Sequence, residues 1–95
     1  MTGYVIAQID VTDQAAYDDY KQQVPATVAA YGGEFIVRGG TMEVLEGEAA
    51  YPRVVVVKFP SVEQARRWYE SAEYAGPLAL RQSASRGNLL LVEGA

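Results

Sequence analysis

Between Tyr4 and Asp10 the chain alternates with a period of two: Val5, Ala7 and Ile9 point one way, Tyr4, Ile6 and Gln8 the other. Such alternation predicts a β-strand, here with both faces largely apolar. The period then lengthens. Tyr17, Tyr20, Val24, Val28 and Tyr31 recur at three- and four-residue intervals, as one face of a helix that Thr12 or Asp13 can cap. Pro25 falls inside that pattern and deletes a backbone donor; because the periodicity continues past it, a kink is expected rather than a break. Gly32-Gly33 supplies the left-handed residue that ends the helix.

Glu34 to Arg38 predicts a second strand, and Met42 to Glu46 resumes the extended pattern beyond Gly39-Gly40. That glycine pair is either a two-residue hairpin turn or a bulge within one long strand running to Glu46. The bulge is preferred, since Gly47 to Pro52 already provides a turn. Arg53 to Phe59 holds four consecutive valines, the mark of a central strand buried on both sides. Ser61-Val62-Glu63-Gln64 matches a capping box, and Val62, Ala65, Tyr69 and Ala72 line one face of the helix behind it, with Trp68 alongside. Ser71 can cap a further turn. Gly76-Pro77 then punctuates the chain, placing Pro77 at the first position of a short third helix that ends near Ser83, and Asn88 to Val92 closes as a strand.

The order strand, helix, strand, strand, helix, strand is the split β-α-β of ferredoxin-like α+β folds, an antiparallel sheet with helices on one face. Strands that are apolar on both sides then pose a problem, because two principal helices cover only one face. The other face would be an apolar patch larger than a monomer tolerates. A second sheet is expected there, most simply from another copy across a two-fold axis, making a homodimer.

Composition narrows the chemistry. The 95 residues make one domain, 1–95, of a size that buries about 60–65% of its unfolded surface. Twelve acids against eight bases give a formal charge of −4, and the bases are scattered, so no basic stripe awaits nucleic acid. No run approaches the roughly 18 apolar residues of a membrane helix, and Met1 to Asp10 lacks the pattern of a signal peptide; a cytoplasmic protein is the expectation. Cysteine and histidine are both absent. Disulfides, thiolate nucleophiles, Ser-His triads, ordinary zinc sites and the common haem ligands go with them. No metal or other cofactor is expected, since Asp18-Asp19 and Glu46-x-Glu48 lack the spacing of a calcium loop.

Arg38 is the most distinctive candidate. An arginine that ends the run Phe35-Ile36-Val37 either escapes to a sheet edge or is held for a partner, because burying an unpaired guanidinium is costly. Functionally it offers a fork of donors to a carboxylate, enolate or other oxyanion. Structurally it pairs with Glu46 or another acid at the rim. Glu46 is correspondingly the acid of that pair or, if desolvated, the general base that a histidine-free chain would need. Of the aromatic residues, Tyr17 and Tyr31 read as core, while Tyr20, Trp68 and Tyr74, with Tyr69 beside them, are candidates for a pocket wall. Arg81 reaches the same cavity or pairs with Glu70 or Glu73. Ser71 reads as a helix cap rather than a nucleophile, having no base nearby in sequence.

The run Tyr31-Gly32-Gly33 through Arg38-Gly39-Gly40 to Leu45-Glu46-Gly47, then Phe59-Pro60-Ser61, Trp68-Tyr69, Ser71, Tyr74, Arg81 and the closing Leu-Val-Glu-Gly, resembles the domain-of-unknown-function family numbered 1330. The resemblance covers nearly the whole chain. It implies the dimeric α+β barrel superfamily, whose members stack two sheets face to face and often hold a small-molecule cavity between sheet and helices. It implies no activity. Relatives on that barrel include cofactor-free monooxygenases, lactone isomerases, haem-handling enzymes and ligand-sensing domains, and fold alone cannot choose among them. Two expectations stand: a cofactor-independent enzyme acting on a small anionic or carbonyl compound, with Arg38 stabilising negative charge and Glu46 or a tyrosine moving the proton, or a non-catalytic small-molecule-binding or structural dimer.

Overall fold

A computed structural model describes all 95 residues. The elements run β1 (Gly3–Val11), α1 (Gln14–Ala30), β2 (Glu34–Arg38), β3 (Arg53–Phe59), α2 (Val62–Tyr69), α3 (Ala72–Ala84) and β4 (Ser85–Glu93). The strands form one antiparallel sheet in the order β2-β3-β1-β4, which is the ferredoxin-like α+β arrangement expected.

Local chemistry sets the helix ends. The Asp13 carboxylate accepts from the Ala16 N–H and starts α1. At the other end the Gly33 N–H reaches back to the Val28 carbonyl (2.9 Å) and the Gly32 N–H to Ala29 (3.0 Å), a Schellman closure made possible by the positive φ of Gly32. Ser61 caps α2 by accepting from the Gln64 N–H, and Ser71 caps α3 by accepting from that of Tyr74. Such caps contribute about 1 kcal/mol each.

Helix α1 runs through Pro25 without a break, as its periodicity foretold. Three expectations fail. Helix α3 begins at Ala72, with Pro77 buried inside it rather than at its first position, because the Ser71 cap nucleates the helix a turn and a half earlier. Met42 to Glu46 forms no strand: residues 39–52 are an irregular, largely exposed connection. The free edges of the sheet belong to β2 and β4, and the alternating segment pairs with neither, so its backbone forms no ladder. The bulge lies earlier than expected, between Phe35 and Val37, and Gly39 (φ +70) simply ends β2, its N–H donating to the Val54 carbonyl at 2.9 Å.

Val5, Ala7 and Ile9 of β1, with Val57 and Phe59 of β3, turn towards the helices and meet Tyr17, Tyr20, Val24, Val28, Ala65, Trp68 and Tyr74 to form the core. The opposite face carries Ile6, Val54, Val56, Leu90 and Val92, the last two 48% and 43% exposed. That face is not apolar throughout. Gln8 accepts a hydrogen bond from Asn88, and Arg86 pairs with Asp10, so an apolar band ends in a polar flank. The Cα envelope of 33 × 31 × 17 Å has room across its short axis for one sheet and one helical layer, which leaves this face uncovered.

Candidate functional site

Two backbone irregularities bring Arg38 to the helical side of the sheet. Phe35 lies opposite Val57, and without the bulge Arg38 would fall opposite Val54 and face away from the helices. The extra residue, Ile36, shifts Arg38 opposite Val55, onto the same face as Phe35. There its guanidinium lies 4.5 Å from the Phe35 ring centroid. The second irregularity is Pro25, which has no N–H for the carbonyl four residues back, at Lys21. Arg38 Nη2 donates to that carbonyl at 2.9 Å and so replaces the missing helical bond. Arg38 makes no ion pair with Glu46, which is exposed in the 39–52 connection.

Arg53 stands beside it. Its Nε donates to the Tyr17 hydroxyl at 3.2 Å, and its guanidinium lies 5.5 Å from the Tyr17 ring. Gly39 permits this approach, since a Cβ there would overlap the Arg53 guanidinium. With Lys21, these arginines rim a cavity of about 30 Å³ between the sheet and the helices. Eleven of its fifteen lining residues are hydrophobic. The closed space suits water only; a larger guest needs Arg38 and Arg53 to swing aside, and each is held by one hydrogen bond to a neutral acceptor. The rim opens onto a polar cleft lined by Asp18, Lys21, Gln22, Arg38 and Arg53, in which the one acid, Asp18, sits 3.8 Å from Lys21.

The cavity's inner wall is aromatic and cationic. Tyr20, Trp68 and Arg81 line it. The Trp68 indole N–H donates to Thr27 Oγ1 (3.1 Å), which donates in turn to the Val24 carbonyl (2.8 Å), so the ring is held with its polar atom satisfied. Tyr74 stacks behind Trp68 at a ring separation of 4.1 Å. The Tyr74 hydroxyl accepts from Arg81 Nε (3.2 Å) and shares a hydrogen bond with the Tyr20 hydroxyl (2.9 Å). Arg81 is only 8% exposed and takes part in neither of the ion pairs. Glu73, considered as its partner, instead accepts from the Tyr31 hydroxyl at the surface.

These contacts fix the protonation states. Burial, reinforced by the Tyr74 phenol, pushes the Tyr20 hydroxyl far above the ordinary tyrosine range, so it stays a neutral donor. Burial opposes the Arg81 cation, but the oxygens of Tyr74 and Tyr20 outweigh it and raise the pKa, keeping the guanidinium charged. A charged donor array therefore faces an apolar space without a carboxylate to neutralise it.

Of the residues singled out from sequence, Arg38, Tyr20, Trp68 and Arg81 meet at this cavity, and Tyr74 supports it from behind. Tyr69 is 37% exposed and borders a different groove, between α2 and β4. Glu46 reaches neither. Arg53, Lys21 and the hydroxyl of Tyr17 escaped notice. Their one sequence signal was positional: Lys21 precedes Pro25 by four residues, and Arg53 opens the strand that flanks Arg38.

The fold recurs in solved structures of low sequence identity. A protein of unknown function from Rhodopseudomonas palustris superposes with a TM-score of 0.80 at 16% identity, covering 99% of this chain and 82% of that one. SnoaB, a cofactor-independent oxygenase from Streptomyces nogalater, gives 0.66 at 13% identity, covering 99% and 93%. An antibiotic biosynthesis monooxygenase gives 0.53 at 13% identity, covering 100% and 99%. These share the ferredoxin-like α+β fold with the chain. No curated protein matches by sequence, and no helix is long and apolar enough to cross a membrane. The family model described as "Domain of unknown function (DUF1330)" matches residues 2–95, and the chain belongs to that family.

Proposed function

We propose that the protein is a cofactor-independent enzyme that binds a small anionic or carbonyl compound in the cavity beneath Arg38 and stabilises negative charge on it. The observation that carries this reading is Arg81, a buried guanidinium that lines an apolar cavity and has a phenol, not a carboxylate, as its partner. With no carboxylate to neutralise it, such a cation gains most when negative charge appears beside it in a desolvated space. Tyr20, kept protonated, is a second donor for the same oxygen. Glu46 lies outside the cavity and Tyr20 keeps its proton, so neither takes one from the ligand, and catalysis rests on stabilising the ligand's anion. The likeness to a cofactor-independent oxygenase is consistent with this chemistry.

We propose further that the working form is a homodimer, with the apolar band of Ile6, Val54, Val56, Leu90 and Val92 packed on its counterpart, in an interface above roughly 1,200 Å². Light scattering at micromolar concentration should give twice the chain mass of 10.3 kDa; a stable monomer would overturn it.

A second reading, non-catalytic binding, has one observation in its favour: no carboxylate lines the cavity to serve as a base. Trp68 is the only tryptophan and sits in the wall, so its fluorescence reports occupancy. Titration with benzoate and the neutral isostere benzamide tests the site. The acid should bind at least tenfold more tightly, a preference reduced in Arg81→Met, which leaves the cations at the mouth, and in part restored in Arg81→Lys. Equal binding of the two, or none, would refute an anion site.

A further inference from the structure

The cavity is cationic at both ends. Arg81 closes it from within, while Lys21, Arg38 and Arg53 stand together at the mouth, and both sets border one apolar space. Against these mouth cations the adjoining cleft offers one acid, Asp18, already spent on Lys21, in a chain whose formal charge is −4. Scattered surface charge would balance itself; three cations over one apolar opening do not. Neither Arg38 nor Arg53 has a carboxylate partner: one donates to a backbone carbonyl, the other to a phenol. Both are donors on loan, their remaining N–H groups free for a ligand.

We infer that the natural ligand is two-ended: a flat apolar body with a carboxylate at one end, held by Arg38, Arg53 and Lys21, and an ionisable phenol or enol oxygen at the other, held by Arg81 and Tyr20. This rests on the proposed anion site and extends it to a substrate class. The geometry limits the size. Arg38 extends from β2 at one edge of the sheet, and Arg81 borders the cavity together with Leu89 of β4, the other edge strand; the two edge strands stand about 14 Å apart at roughly 4.8 Å per strand. Part of that width is taken by the arginine side chains themselves, and the space of about 30 Å³ must widen as they swing aside, which limits the body to a single ring. The valines and Leu89 of the sheet form its floor and Tyr20 with Trp68 its ceiling, a slot that selects planar molecules. The carboxylate also explains how the gate opens. Arg38 and Arg53 exchange single bonds to neutral acceptors for charge-assisted, bidentate ones to the ligand.

The test compares 4-hydroxybenzoate, benzoate and phenol by Trp68 fluorescence in the wild type, Arg53→Met and Arg53→Lys. In the wild type 4-hydroxybenzoate should bind roughly tenfold to a hundredfold more tightly than either one-ended probe, the range of one charge-assisted hydrogen bond. Arg53→Met should cut the advantage over phenol at least fivefold while leaving phenol affinity within twofold, and Arg53→Lys should restore part of it. If phenol and benzoate bind but 4-hydroxybenzoate binds no better, or if Arg53→Met weakens phenol equally, the two-ended ligand is refuted while the anion site stands. If none of the three binds, the proposed site itself fails and the inference falls with it. Arg53 is at the rim, so the folded state of each variant can be verified by its far-ultraviolet dichroism, and Lys21→Met offers a second probe of the same end.

Discussion

Arg38 and Pro25 should be energetically coupled, although they are distant in sequence. Replacing Arg38 with Met keeps the aliphatic stem but removes the donor to the Lys21 carbonyl and the cation over Phe35. The hydrogen bond, made by an exposed guanidinium, should contribute near the lower end of the charged range, about 1.5 kcal/mol, and the cation–π contact about 0.5–1 kcal/mol. The single variant should therefore lose about 2 kcal/mol. In a Pro25→Ala background the new N–H at 25 bonds the Lys21 carbonyl directly, as the helix requires. Arg38→Met should then cost only the aromatic contact, leaving a coupling of about 1–1.5 kcal/mol. Urea denaturation of the four proteins at one fixed chain concentration measures it, because a dimer's stability depends on concentration. In thermal terms each kcal/mol is about 4–8 °C for a domain of this size. Costs that add within about 0.5 kcal/mol would refute the carbonyl-for-proline exchange.

Thr27→Val should cost about 1–3 kcal/mol in a urea melt, since it strips the buried Trp68 indole of its acceptor while preserving shape. Gly39→Ala should lose about 1–2 kcal/mol by the same assay, from the positive φ there, and should weaken carboxylate ligands because the new methyl displaces Arg53. Tyr20 holds its proton in the folded state beyond the pH at which the unfolded chain releases it, so the unfolded state binds fewer protons above about pH 10. Stability should therefore be intact below that pH and decline above it, and Tyr20→Phe should flatten the decline measured by denaturant midpoints from pH 9 to 11.

Sequence reading succeeded where a feature depends on near neighbours along the chain. Alternation in β1, the Asp13 cap and the Gly32-Gly33 closure are settled within a few residues, and all were legible. Met42 to Glu46 misled because alternation makes a strand only where the backbone finds a ladder partner, and this segment pairs with neither free edge, that of β2 or that of β4. Pro77 misled because it marks a helix start only when no stronger cap precedes it, and Ser71 did. The site divided in the same way. Arg38, Tyr20, Trp68 and Arg81 could be suspected from residue type, but the aim of Arg38 depends on a bulge at Ile36 that no glycine announces. The Tyr20–Tyr74 bond joins residues 54 apart, and the gathering of Lys21 and Arg53 with Arg38 exists only once α1 crosses the sheet.

The central claim is that Arg81 makes the cavity a site for an anion generated on the ligand. The most direct measurement is the pKa of bound 4-nitrophenol, whose anion alone absorbs strongly in the visible. A buried cation should lower that pKa by one unit or more relative to free solution, one unit corresponding to about 1.4 kcal/mol, and Arg81→Gln should abolish the shift. A bound phenol whose pKa is unchanged or raised, or a lowering that survives the loss of Arg81, would contradict the account.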